Sequence, residues 1–191
     1  MRATKIFFLL TLILTFVLLL SSLFTMNERQ QGLVLQFGEP KRVIKDSGLN
    51  FKIPFIQNVV RYDKRILEYN LPVEEVIAVD KKRMLIDSFA RFKIIDPLEF
   101  YKTVASEQNV RNRLNANVIS SLRRVVGTVT LDELLSSERS NIMDRIKIEV
   151  NSAAQRFGIE VVDVRIRRAD LPEANSQAIF ARMQTERERE A

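Results

Sequence analysis

The sequence contains no cysteine, no histidine and no tryptophan, and only five glycines in 191 residues. Without cysteine there is no disulfide framework and no thiol nucleophile. Without histidine, the common zinc, haem and Ser-His-Asp chemistries lose their principal residue type. The glycines (Gly32, Gly38, Gly48, Gly127, Gly158) stand singly, so neither a P-loop nor a G-x-G-x-x-G loop can form, and no G-x-S-x-G elbow is present. Charge of one sign is also not concentrated. Beyond position 27 lie 28 basic and 24 acidic residues, a net +4. That mild, mixed excess argues against a dedicated nucleic-acid surface, which clusters Lys and Arg on one face, and leaves attraction to anionic lipid open.

What is present is one long apolar run. Ile6–Phe24 (IFFLLTLILTFVLLLSSLF) holds 19 residues without a charge. As a helix rising about 1.5 Å per residue it nearly crosses a hydrocarbon layer of about 30 Å. A cleaved signal peptide is the alternative. Its apolar core is shorter, about 7–15 residues, and ends in a small-residue cleavage site, which Ser21–Met26 does not offer. A transmembrane helix over 6–24 is the favoured reading. Arg2 and Lys5 precede the run, so residues 1–5 are expected in the cytoplasm and the remainder on the far side. In a bacterium that is the periplasm, and the absence of cysteine fits an oxidising compartment.

After this run the periodicity shortens. Gly32–Phe37 reads as a strand ending at the turn residues Gly38-Glu39-Pro40, with Lys41–Ile44 as its return. Leu49–Ile56 reads as an edge or irregular strand because of Pro54. Asn58–Asp63, Arg65–Leu71, and a hairpin of Glu74–Val79 with Met84–Ile95 follow. In the last arm Met84, Ile86, Ala90, Phe92 and Ile94 share a face, with Ser88 as its polar member. At Asp96-Pro97 the period changes to helical, Asp as N-cap and Pro in the first turn. A second helix is expected over Val110–Val126, its stripe formed by Val110, Leu114, Val118, Leu122 and Val125, with Gly127 at C′. Thr130 and Glu133 fit a capping box. A third helix over Ser140–Phe157 faces inward with Ile142, Ile146, Val150, Ala153 and Phe157 and stops at Gly158. A strand over Ile159–Arg167, with Val162, Val164 and Ile166 on one side, leads to a last helix from about Leu171.

Segregated strands and helices make this an α+β chain. The expected partition is 1–5 cytoplasmic, 6–24 transmembrane, 27–95 β-rich, 96–170 α/β, and 171–191 the start of a long helix. Two segments invite a functional reading. Phe51, Ile53, Pro54, Phe55 and Ile56 form either a segment resting in the outer leaflet or an edge strand of the β-rich core, and periodicity alone favours the core. The tail, with Arg182, Glu186, Arg187, Glu188, Arg189 and Glu190, is either a solvated helix end or the start of a helix that packs against neighbouring subunits. Its i,i+3 pairs contribute only tenths of a kcal/mol each. No carboxylate pair stands out as catalytic. The composition still permits a Ser-Lys dyad, but common Ser and Lys residues do not define a site.

Several stretches resemble the band 7, or SPFH, family. Gln31–Gly38 (QGLVLQFG) is similar to its first strand, and Ser47–Ile56 (SGLNFKIPFI) is similar to its P-G-L-x-F-K-I-P-F signature, with Ser47 in place of the leading Pro. Phe157–Ile166, Leu171-Pro172, Ala178–Met183 and Glu186–Glu188 resemble the approach to the long helix in the HflK/C branch of that family. The resemblance implies a single-pass protein of the bacterial inner membrane that joins an HflK-like subunit in a hetero-oligomer and regulates an FtsH-like AAA+ protease. It also implies a membrane-lipid contact by the first sub-domain, which makes the leaflet and core readings of Phe51–Ile56 equally weighted. The long family helix would be just under way at Ala191. The leading expectation is therefore a non-catalytic scaffold without cofactor or metal. A stomatin-like lipid organiser without a protease partner is the second reading, and a membrane-anchored serine protease the third.

Overall fold

The computed structural model describes residues 2–170. A helix, α1 (Arg2–Ser22), is followed by β1 (Leu23–Met26), β2 (Gln30–Gln36), β3 (Glu39–Ile44), β4 (Gly48–Phe51) and β5 (Gln57–Asp63). Next come β6 (Leu67–Asn70), β7 (Glu74–Ile77), β8 (Arg83–Ile94), α2 (Pro97–Thr103) and α3 (Glu107–Val126). The described chain closes with α4 (Leu131–Leu135), α5 (Arg139–Ala154), a 3-10 turn (Gln155–Phe157) and β9 (Ile159–Asp170). The α+β class expected from the pattern is what forms. The last helix, expected from about Leu171, lies outside the described residues.

The chain divides into two compact units, and the division does not fall at Asp96. One unit comprises residues up to Arg65 with Ile94–Thr103; the other comprises Ile66–Lys93 and the chain from Val104 onward. The compact units thus cut across the expected blocks 27–95 and 96–170. Strands β6–β8 pack with the later helices because β8 pairs with β9 and β7 packs on α3. Pairing partners distant in sequence decide the units, and a change of period along the chain does not show them.

In the first unit β2 is the central strand of a β3-β2-β5 sheet. Leu33, Val34 and Leu35 are all buried, as expected of a strand covered on both faces. On one face Val34 joins Met26 and Ile44, with Phe24 and Val59 packed against them. A Cβ at Gly32 would lie 3.0 Å from the Met26 Cε, so a side chain here would require the end of Met26 to shift. On the other face Tyr62 meets the Phe100 ring of α2 edge-on, with centroids 4.9 Å apart, and buried Gln31 donates through Nε2 to the Ile94 carbonyl at 2.7 Å. Asp96 Oδ1 accepts from the amides of Leu98 and Glu99 at 2.9 and 3.2 Å, which is the expected cap of α2.

The helix α1 ends at Ser22, two residues before the end of the apolar run. Leu23 and Phe24 instead begin β1, which pairs antiparallel with β4 (Leu23↔Phe51, Phe24↔Asn50, Thr25↔Leu49, Met26↔Gly48). The Lys52 amide donates to the Ser22 carbonyl at 2.8 Å, so a cross-chain partner takes the carbonyl at which the helix stops. The strand expected over Leu49–Ile56 correspondingly ends at Phe51.

In the second unit Val110, Leu114, Val118, Leu122 and Val125 are all buried. So are Met84, Ile86, Ser88, Ala90 and Phe92 of β8. Ser106 caps α3, accepting from the Asn109 amide, and Thr130 with Glu133 forms the full capping box of α4. Gly127 departs from expectation, because its backbone is right-handed (φ −64°) and not left-handed. Gly158 does take the left-handed form, φ 68°. Along α5 the buried alanine is Ala154 rather than Ala153. Phe157 is half-buried, with the Arg113 guanidinium 5.0 Å from its ring centroid. Along β9 the buried residues are Ile159 and Val161, then Val164 and Ile166. The burial alternation shifts by one residue between them, so Val161 rather than Val162 is buried.

This packing is open to two tests. Ile146 is fully buried whereas Ile148 is 67% exposed. Ile146→Ala should therefore cost about 2–5 kcal/mol and Ile148→Ala no more than about 0.5 kcal/mol, read by chemical denaturation in mild detergent. Asp63 is held below the usual carboxylate range by the hydrogen bond from the Arg65 side chain. Its contribution is therefore present above about pH 4 and lost as pH falls through the lowered pKa. For so exposed a pair the loss is below about 1 kcal/mol, and Asp63→Asn should remove that part of the acid dependence.

Candidate membrane-contact surface

The antiparallel pairings bring three chain reversals to one end of the first unit. β1 leaves the helix, β4 returns to it, and residues 52–56 cross over to β5. The 52–56 crossing is tight: the Gln57 amide donates to the Ile53 carbonyl, and the Ile53 amide donates to Gln57 Oε1, both at 2.9 Å. β2 pairs with β5 as Gln36↔Gln57, so the Phe37-Gly38 turn between β2 and β3 comes to the same end. There the Gly38 carbonyl accepts from the Tyr101 hydroxyl at 3.2 Å.

The side chains at this end are apolar and open. Phe51 (52%), Ile53 (42%), Phe55 (93%) and Ile56 (40%) are exposed and Pro54 is also partly accessible. These five residues are brought together, and they are not in the core that periodicity favoured. The reason is local. Phe55 adopts φ 65°, a left-handed backbone that non-glycine residues rarely take, and it turns the ring outward. The structure adds residues that sequence reasoning did not single out. Phe37 is 82% exposed at φ 51°, and the outward face of the β1–β4 ribbon carries Leu23 and Leu49. The alternation Leu33, Leu35, Phe37 assigns Phe37 to the core face. Only the positive φ at the turn overturns that, and the preceding strand gives no warning of it.

α1 continues from this surface. It is long enough at 21 residues for about 30 Å of hydrocarbon. Its apolar side chains from Ile6 to Leu20 lie open, the reverse of a core helix. The polar interruptions are satisfied within the helix: Thr11 donates to the Phe7 carbonyl, Thr15 to that of Thr11 and Ser22 to that of Leu18. That internal satisfaction is what a lipid-facing helix needs. An apolar patch of this kind, unusual on a soluble monomer, marks an interaction surface for a membrane or another protein.

No comparable assembly for chemistry is found among the described residues. No group of three metal-ligating side chains occurs among them. The cavity of about 330 Å³ between α5 and β9 holds Ser140 beside Arg139, Asp144, Asp163 and Arg165, with no lysine in its lining. The tail residues Arg182, Glu186, Arg187, Glu188, Arg189 and Glu190 lie outside the described residues.

The fold, the helix and the patch define a membrane-associated domain, and the family follows from comparison with known proteins. Residues 24–191 match the model of the SPFH domain / Band 7 family, and the chain belongs to that family. Among curated relatives it is 31% identical over 179 residues to Protein HflC of Haemophilus influenzae, covering 88% of this chain and 61% of the relative. It is 26% identical over 224 residues to the modulator of FtsH protease HflC of Escherichia coli K12, covering 93% and 67%. It is 30% identical over 162 residues to Stomatin-1 of Caenorhabditis elegans, covering 85% and 48%. The chain thus spans less than two thirds of the length of the Haemophilus protein.

The left-handed phenylalanines yield a prediction. Glycine adopts positive φ without steric cost, so Phe37→Gly and Phe55→Gly should leave stability in detergent unchanged or raise it by up to about 1 kcal/mol. Both should weaken engagement of the bilayer surface, read as loss of protection of this end against hydrogen exchange in reconstituted vesicles.

Proposed function

We propose that this chain acts as an HflC-like, non-catalytic scaffold of the bacterial inner membrane. In this reading α1 spans the bilayer with its N-terminus in the cytoplasm. The folded units lie in the periplasm, and Phe51, Ile53, Pro54, Phe55 and Ile56, with Phe37, rest in the outer leaflet. The scaffold joins an HflK-like subunit and modulates an FtsH-like AAA+ protease. The observation that carries this is the family match over residues 24–191, joined to relatives whose names include a modulator of FtsH protease.

The chemistry is consistent with it. A regulator acts through surfaces, and this chain presents open apolar surface at one end of its first unit. The tail residues Arg182 to Glu190 are the proposed start of the helix that contacts neighbouring subunits. A second reading, a lipid organiser that works without a protease, is favoured by the similarity to Stomatin-1. The two readings share the membrane surface and differ in the partner.

Affinity purification of the tagged chain from gently solubilised bacterial membranes tests the first reading. Recovery of an HflK-like subunit and the FtsH-like protease is expected, and a monomer recovered without either would favour the lipid organiser. Orientation has its own test, since the cysteine-free sequence allows a single thiol to be read without background. Ser47 is exposed at the turn before β4, so Ser47→Cys should react with an impermeant maleimide on intact spheroplasts. Reaction only after lysis would reverse the assignment.

A further inference from the structure

The apolar rim is accompanied by two cations, one of them held by a backbone carbonyl. Arg42, exposed on β3, donates through Nη2 to the Phe51 carbonyl at 2.6 Å. Its guanidinium is therefore held beside the backbone of a residue in the exposed rim. A guanidinium has five N–H donors, which leaves several for an anion. Lys52 follows Phe51 directly, and its amide is fixed to the Ser22 carbonyl at the end of α1. The carboxylates in the adjoining elements are already paired, Glu39 with Lys41 at 3.1 Å and Glu99 with Lys102 at 3.4 Å.

From this geometry we infer that Arg42 and Lys52 form a clasp for the phosphate of anionic lipid headgroups, giving the membrane contact a preference for an anionic leaflet. The inference rests on the proposal that the Phe51–Ile56 segment enters the leaflet. An apolar segment lying at an interface sits about 5–10 Å into the headgroup–acyl boundary. A cation bonded to the Phe51 carbonyl is then held close to the headgroup phosphates above that boundary. Arg42 offers a fixed, forked donor to phosphate oxygens. Lys52, on a flexible four-carbon stem, lays its methylenes along the apolar rim and extends its ammonium to the headgroups. Tyr101, which holds the Phe37-Gly38 turn, is of the residue type enriched at this depth. The occupant is a lipid surface, because the clasp is continuous with a membrane-length helix and flanked by exposed aromatic rings.

The test uses the full chain reconstituted in phosphatidylcholine vesicles containing phosphatidylglycerol. Electron paramagnetic resonance of spin-labelled phosphatidylglycerol and spin-labelled phosphatidylcholine gives the relative association of the two lipids with the protein. Each cation near an anionic surface is worth about fivefold, so the preference for phosphatidylglycerol should fall about fivefold or more in R42Q/K52Q. It should persist in R42K/K52R and weaken with added salt. The sequence has no tryptophan, so Phe55→Trp supplies a single reporter in every variant, and quenching by brominated acyl chains reads insertion separately. Quenching retained in R42Q/K52Q with the preference lost is the expected result. No preference in the unsubstituted chain would overturn the inference. So would a preference undiminished in R42Q/K52Q, which would assign it to Arg2 and Lys5. An unquenched indole reporter beside an intact, Arg42/Lys52-dependent preference would overturn the insertion reading and leave the clasp standing.

Discussion

The pairing of β1 with β4 is the constraint on which the first unit depends. It begins at the residue after α1, where Leu23 lies opposite Phe51, and is extended by the Lys52 amide bonded to the Ser22 carbonyl. A helix that runs into a flexible linker would leave the domain free to tumble. Here the carbonyl at which the helix stops is taken by the strand that returns, so the exit is hydrogen-bonded into the fold. The alternation of β1 then follows: Phe24 and Met26 turn inward to Val34, Ile44 and Val59, and Leu23 turns outward beside Phe51. One ribbon therefore both closes a core and sets an apolar edge next to a membrane-length helix.

Strain is used at the same end. Phe37 and Phe55 each hold a positive φ, a conformation that costs a non-glycine residue of order 1 kcal/mol or more. Both are almost fully exposed, so burial in the fold does not offset that cost. A large aromatic side chain held outward in a strained turn makes physical sense where the ring finds an apolar medium outside the protein. The charges follow a related logic. Arg42 satisfies a carbonyl of the apolar edge, which would otherwise need water, and places a positive charge beside that edge.

The second unit is built by ordinary means and was more open to prediction. Its helices α3 and α4 carry their own start signals, Ser106, and Thr130 with Glu133. Its stripes at Val110 to Val125 and its β8 face at Met84 to Phe92 follow simple periods. In β9 the burial alternation shifts by one residue, so Val161 is buried where a period of two places Val162. The boundary near Asp96 marked a change from strand to helix, whereas the compact units are set by the pairing of β8 with β9 and the packing of β7 on α3.

By itself the sequence determined the apolar span, the α+β class, the caps at Asp96 and Thr130, most of the buried stripes and the family resemblance. These are properties of local spacing and side-chain chemistry, legible in a window of a few to twenty residues. Only the tertiary structure decided that the span ends at Ser22, that Phe51 to Ile56 lie open, and that Phe37 joins them from another hairpin. The reason is physical. Whether an apolar side chain is core or surface depends on which strand stands opposite and on the sign of φ at a turn. The first is settled by pairing with residues far away in the chain, such as Ser22 with Lys52 and Gln36 with Gln57, and the second by the turn itself.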